Sequence, residues 1–125
     1  MQEVPTFTLG PERRLRRAAE FKQLYASGRR LGAEPFTAIV RPNQLGTARL
    51  GMSIAARVLR RAVQRNRVRR LIRESFRQCC GQLPALDIVV GVRGGVQAAS
   101  SAHLREALER LWQKIASTCE RSSVS

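Results

Sequence analysis

Apolar and polar residues alternate along this chain in two rhythms, one of period 3.6 and one of period 2, and the switches between them outline the elements. Ala18, Phe21, Leu24 and Tyr25 recur at helical spacing with Gly28 placed to end the run, which predicts a first helix from about Ala18 to Ser27. From Pro35 to Arg41 the rhythm becomes that of a strand, with Phe36, Ala38 and Val40 on one face and Thr37 and Ile39 on the other. Pro42, Asn43 and Gly46 mark a turn. Ala48, Leu50, Met52 and Ile54 then alternate with Arg49, Gly51 and Ser53, which predicts a half-buried strand pairing with its predecessor as an antiparallel hairpin.

A long helix is expected from about Arg60 to Cys80, with Gly81 and Pro84 as stop signals. Leu86 to Val92 is a nearly continuous, valine-rich apolar run, as in a central strand buried on both faces. Gly94 and Gly95 break it, and Ser100 or Ser101 can cap a last helix whose apolar stripe is Leu104, Ala107, Leu108, Leu111 and Ile115. The order is helix, two strands, helix, strand, helix. With no internal repeat and no dividing linker, it predicts a single α+β domain over about residues 17–119, a flexible basic arm over 1–16 and a disordered tail over 120–125.

Charge changes this picture more than length does. The 125 residues hold 23 Lys plus Arg against 9 Asp plus Glu, a formal net charge of +14. Lys22 and Lys114 are the only lysines, so 21 of the cations are guanidinium groups that can fork onto phosphate oxygens. No apolar run approaches the roughly 18 residues of a spanning helix, and the N-terminus lacks a signal-like segment. The expectation is a cytoplasmic protein that does not enter a membrane. Cys79, Cys80 and Cys119 are odd in number, lack a C-x-x-C pair and share the chain with one histidine, which argues against a disulfide framework or a zinc site and for small buried hydrophobes.

The stretch from Arg57 to Arg77 carries nine arginines and one acid, Glu74. At about 100° per residue, Val68, Leu71, Ile72 and Phe76 gather on one side of a helix, and Asn66, Arg69, Arg70, Arg73 and Arg77 fall within an arc of about 100° opposite them. A solvated face stabilised by internal ion pairs needs more acids than Glu74 alone provides. Pairs such as Arg61 with Arg65 and Arg69 with Arg73 repel by a few tenths of a kcal/mol each, so the face calls for external anions. Phosphates supply them, and neutralising six to ten would weaken binding about 10³- to 10⁵-fold between 50 and 200 mM salt. A basic amphipathic helix can also enter a DNA major groove, but no second helix stands upstream at helix-turn-helix spacing and no zipper or zinc module presents this one. Calmodulin-like and membrane-surface targets suit projecting helices better than one packed within a domain.

These residues resemble a known family. Gly51 through Arg77, with the Arg65-Asn66-Arg67 core, the following Arg69-Arg70 pair and the Arg73-Glu74-Ser75-Phe76-Arg77 ending, is similar to the signature segment of the protein subunit of bacterial ribonuclease P. Ala19-Glu20-Phe21, Gly28-Arg29-Arg30, Phe36 and Leu86-Asp87 fall where that family has equivalent features, and the resemblance covers about residues 9–116. It implies a ribosomal-protein-like α+β sandwich with three helices, a mainly antiparallel sheet of about four strands and a left-handed βαβ crossover. The residue pattern yields three strands, leaving the fourth unplaced. The resemblance also implies a 1:1 partnership with a catalytic RNA that removes the 5′ leader from precursor tRNA. The active site and its Mg²⁺ then belong to the RNA, with no cofactor of the protein's own. On the matching positions, Arg57, Arg61, Arg65, Asn66, Arg67, Arg69, Arg70 and Arg73 would meet the RNA, and Phe21, Tyr25, Thr37 and Ile39 would line a cleft for the leader. Base stacking there would contribute roughly 1–3 kcal/mol per base, although core packing is the ordinary use of Phe21 and Tyr25. Ala56 stands where the family commonly has lysine, Val63 occupies a variable position, and Thr37 and Ile39 make the cleft less aromatic than usual.

A protein-borne nuclease would need a positioned base, paired carboxylates or an activated nucleophile. His103 and Asp87 are single examples of their types, and Glu106 and Glu109 share a helix with Arg105 and Arg110. The Gly91 to Gly95 segment lacks the Gly-Lys-Ser/Thr ending of a phosphate loop and reads as a turn. The alternative to a ribonuclease P subunit is a stand-alone RNA chaperone or ribosome-associated protein using the same helix.

Overall fold

The computed structural model describes the backbone of residues 18–43 and 46–124, and side chains within 22–118 apart from Gln23, Gln44, Leu45 and Cys80. The expected basic arm lies outside these residues. In chain order the elements are α1 (Ala18–Ser27), β1 (Arg29–Ala33), β2 (Phe36–Pro42), β3 (Arg49–Ser53), α2 (Ala62–Cys79), β4 (Leu86–Val92) and α3 (Ser101–Val124), with short 3₁₀ turns at Cys80–Gln82 and Val96–Ala98. The backbone over the expected tail continues α3 as far as Val124.

The four strands form one sheet in the order β1-β2-β4-β3. This corrects the expected hairpin: β2 and β3 do not pair, because β4 lies between them, antiparallel to β2 and parallel to β3. A parallel neighbour cannot be reached by a tight turn, so the chain between β3 and β4 crosses back as α2. The strand missing from the sequence pattern is β1, an edge strand of sequence Arg-Arg-Leu-Gly-Ala paired antiparallel to β2. Its two arginines and glycine hide the alternation while suiting an exposed edge that must not recruit another strand.

The registers assign the two faces of the sheet. Inward rows such as Leu31, Ala38, Val90 and Met52, or Val40, Ile88 and Leu50, meet α2 and α3 in the main core. Ala48 and Leu50 are buried, with Met52 and Ile54 packed against the same core, as the alternation predicts. Val68, Leu71, Ile72 and Phe76 of α2 and all five stripe residues of α3 are buried there. Where the helices meet, the Phe76 and Trp112 rings pack edge to face at 5.7 Å, and Trp112 Nε1 donates to Ser75 Oγ at 2.7 Å. The Ser100 hydroxyl accepts from the His103 amide at 3.1 Å, so Ser100 is the residue that caps α3. Cys79 is half-buried against the core; the side chains of Cys80 and Cys119 lie outside the described residues.

On the outward face, Leu24 of α1 buries itself against Ile39 and Val89. Gly28 lets α1 end this close to β2: a Cβ there would come within 2.5 Å of Ile39 Cγ2 and 2.6 Å of the Leu24 carbonyl. Below this patch, Asp87 accepts from Arg49 Nε at 2.8 Å and Nη2 at 2.9 Å, and from Asn43 Nδ2 at 2.8 Å. Arg49 and Asp87 are register partners, with side chains about 85% buried, so the fork locks the start of the parallel pair. Asp87→Ala should therefore lower unfolding free energy by about 3 kcal/mol in urea titrations, and Asp87→Asn, which keeps one oxygen, by less. A change below about 1 kcal/mol for Asp87→Ala would contradict the lock.

Candidate nucleic-acid interface

The end of β3 leads into residues 55–61, where the chain reverses to start α2. The Val58 and Leu59 amides both donate to the Ala55 carbonyl, at 3.0 and 3.1 Å, while the Leu59 side chain is fully buried. The Arg61 carbonyl accepts from the Gln64 and Arg65 amides, both at 3.1 Å, which makes Arg61 the residue at the head of α2. The helix thus begins at Ala62 rather than near Arg60, leaving Arg57, Arg60 and Arg61 exposed on the preceding turn. Ala56 is exposed beside Arg57.

Along α2 the arginines divide by what they touch. Arg65 is half-buried, and its Nη1 donates to the Leu59 and Arg60 carbonyls at 2.8 and 2.9 Å. Arg67 Nη2 donates to Ser101 Oγ at 2.9 Å and lies 3.4 Å from the Ala99 carbonyl, reaching the start of α3. Neither lies within the arc opposite the core, although the resemblance groups both with the RNA-facing residues. Asn66 Oδ1 accepts from Arg69 Nη1 at 3.4 Å, tying together two neighbours of the outward arc. The guanidinium groups of Arg57, Arg60, Arg61, Arg70 and Arg73 are exposed and make no hydrogen bond or ion pair with any described residue. Val63, in the first turn of the same helix, is 71% exposed. The electrostatic result is a surface of uncompensated guanidinium groups on a rigid helix, suited to a ladder of phosphates.

A groove of about 280 Å³ opens on the outward face of the sheet, at the end where β3 and β4 finish. Tyr25, Thr37 and Ile39 all line it, so three of the four residues expected for the cleft come together. Phe21 lies on α1, but its side chain is outside the described residues. Tyr25 is 45% exposed and can present its ring, whereas Ile39 is 7% exposed and serves mainly as packing beneath Leu24. Its lining includes the register row Thr37, Gly91 and Ser53, whose small side chains leave room above the sheet. A Cβ on Gly91 would fall 2.8 Å from Thr37 Oγ1.

Sequence reasoning missed the cationic rim of this groove, which Arg30 and Arg93 share with Arg57. Arg30 sits on the unpredicted β1, where its row places it beside Ile39, and its Nη2 lies 3.5 Å from the Tyr25 carbonyl. Arg93 pairs with Glu34, both exposed. The residues weighed for catalysis are placed differently: Asp87 is engaged by Arg49, and His103, Glu106 and Glu109 are exposed on α3. The segment after β4 is a turn, as expected, and Gly95 adopts φ 96° within it. Among the described residues, no three His, Cys, Asp or Glu side chains form a metal-ligating group, and no helix is long and apolar enough to cross a membrane.

A family model described as Ribonuclease P matches residues 9–116. The chain is 41% identical over 106 residues to the ribonuclease P protein component of Thioalkalivibrio sulfidiphilus, covering 85% of this chain and 88% of that protein. Its fold is similar to that of the RNase P protein of Staphylococcus aureus, with a TM-score of 0.76 at 28% identity over 83% of this chain and 94% of that one. The RNase P protein of Thermotoga maritima superposes with a TM-score of 0.74 at 31% identity, over 82% of this chain and 96% of that one.

Two kinds of arginine are thus present, and stability should tell them apart. Replacing Arg70 and Arg73 together by glutamine should change unfolding free energy by no more than about 0.5 kcal/mol, since neither touches a described partner. Arg65→Ala should cost about 1.5–3 kcal/mol, because it strips a charged donor from two backbone carbonyls. Equal losses in urea denaturation would refute the division.

Proposed function

The chain belongs to the ribonuclease P protein family, and from that premise we propose that α2 and the groove divide the work of binding two RNAs between them. The protein is the RNA-binding subunit of ribonuclease P and assists a catalytic RNA in removing the 5′ leader from precursor tRNA. It is the protein component of a ribonucleoprotein enzyme, so its own side chains contribute binding and charge rather than bond-making. Family membership displaces the stand-alone chaperone reading.

In the proposed arrangement, Arg61, Arg69, Arg70 and Arg73, with Asn66 orienting Arg69, meet the phosphates of the catalytic RNA. Arg57 stands between that surface and the groove. The groove takes the single-stranded leader, with the half-exposed Tyr25 ring available to stack on a base and Thr37 and Ile39 beneath it. One protein joins one RNA, in the cytoplasm, and the Mg²⁺ of the reaction is held by the RNA. The observation that carries this reading is the set of exposed guanidinium groups at the head and along the outward arc of α2 that meet no described carboxylate. Cations fixed in this way neutralise phosphates that would otherwise need diffuse Mg²⁺, so the protein should matter most when magnesium is scarce.

Added to a bacterial ribonuclease P RNA at low magnesium, the chain should raise the rate of precursor cleavage; no increase would refute the assembly. Replacing Arg70 and Arg73 by alanine should weaken RNA binding and reduce the slope of log K against log salt by about 0.7–0.9 for each phosphate no longer neutralised. An unchanged slope would show that these arginines do not meet phosphate.

A further inference from the structure

Although Arg65 is the first arginine of the motif that carries the family resemblance, its guanidinium is directed at the protein. Leu59 and Arg60 precede the head of α2, so their carbonyls have no place in its hydrogen-bond ladder. Leu59 is anchored in the core by a fully buried side chain. Arg65, six and five residues further on, folds back toward the helix start and donates to both carbonyls, at 2.8 and 2.9 Å. One end of the turn is held by the Ala55 carbonyl, which accepts from the Val58 and Leu59 amides, and the other by this guanidinium. Arg57 rides on the turn between these two anchors, and Arg57 lines the groove.

We propose that Arg65 is a positioning residue: it fixes the turn between β3 and α2 so that Arg57 is presented at the leader groove, coupling the RNA-binding helix to the leader site. The proposal rests on the reading of the groove and the arginine face given above. It assigns Arg65 no phosphate of its own. The required chemistry is a planar group that directs N–H bonds to two carbonyls at once, which an ammonium on a flexible stem reproduces poorly and a neutral amide reproduces only in part. Arg57 itself makes no hydrogen bond or ion pair with a described residue, so its reach into the groove depends on where the turn holds its backbone.

The test is a double-mutant cycle in the holoenzyme reconstituted with a bacterial ribonuclease P RNA. Arg65→Lys and Arg57→Ala are made singly and together, with Arg65→Gln as a second variant, and each is confirmed folded by circular dichroism. The readout is leader preference, the ratio of Kd for mature tRNA to Kd for precursor tRNA with its leader. Arg57→Ala, Arg65→Lys and Arg65→Gln should each lower the preference about five- to tenfold, and the double variant should fall no further than either single one. Arg65→Gln should leave the salt slope for binding the catalytic RNA unchanged.

If Arg65 instead touches phosphate, lysine restores the wild-type preference, glutamine lowers the salt slope by about 0.7–0.9, and the losses in the cycle multiply. Any of these results overturns the proposal. A wild-type holoenzyme without leader preference would remove the groove reading and this proposal together. Wild-type preference that survives Arg57→Ala or Arg65→Lys removes this proposal alone.

Discussion

The parallel pairing of β3 with β4 is the constraint on which the rest of the molecule depends. A parallel neighbour in the same sheet can be reached only by carrying the chain back along its length, and α2 makes that journey. Once α2 lies on the sheet, its apolar side is committed to the core and its opposite arc to solvent. The same pairing brings the ends of β3 and β4 to one edge, where Ser53 and Gly91 are register partners and the groove opens. The helix and the groove are therefore two results of one strand placement. The Arg49 and Asp87 fork holds its opposite end, which gives the chain's one aspartate a structural task.

With α2 fixed in this way, the excess of positive charge sorts itself by geometry. Arginines outside the outward arc find oxygen on the protein: Arg65 on the turn before the helix, Arg67 at the start of α3. Arg61 at the head of the helix, and Arg70 and Arg73 along the arc, find none among the described residues. Mutual repulsion between such groups costs a few tenths of a kcal/mol per pair in the free protein and is relieved when phosphates arrive. Uncompensated charge on a rigid helix is thus stored binding capacity, limited by how much repulsion the core beneath can bear. Trp112 against Phe76 and Ser75 belongs to that core, since it clamps α2 to α3 directly under the charged face.

Periodicity made the helices and strands β2, β3 and β4 legible, because burial on a sheet or along a helix stripe imposes spacings that Phe36, Leu50, Ile72 and Leu108 obey. Strand order was not legible, since alternation reports which face a residue occupies and not which neighbour it pairs with. The expected hairpin failed on that point. β1 escaped because an edge strand gains little from apolar alternation, and Arg29, Arg30 and Gly32 erase it. Three residues that line the groove were named through resemblance to a family, while Arg30 on its rim needed the register of a strand that sequence had not revealed, and Arg93 the folding of the turn after β4. Motif spelling also pooled Arg65 and Arg67 with the outward residues, where angular position on the helix already set them apart.

That pooling bears on why the basic residues are arginine almost throughout. Affinity for phosphate could be met by lysine, which carries the same charge. Several positions here ask for more: Arg49 forks onto both oxygens of Asp87, and Arg65 bridges two successive carbonyls, tasks that suit a planar group with several fixed N–H directions. Lys114, by contrast, makes a single bond among the described residues, from Nζ to the Gly32 carbonyl at 2.6 Å. A chain whose basic residues must serve both as internal clips and as an outward ladder gains from one side chain able to do either. The same composition that signals a polyanion partner therefore also builds the scaffold that presents the charge.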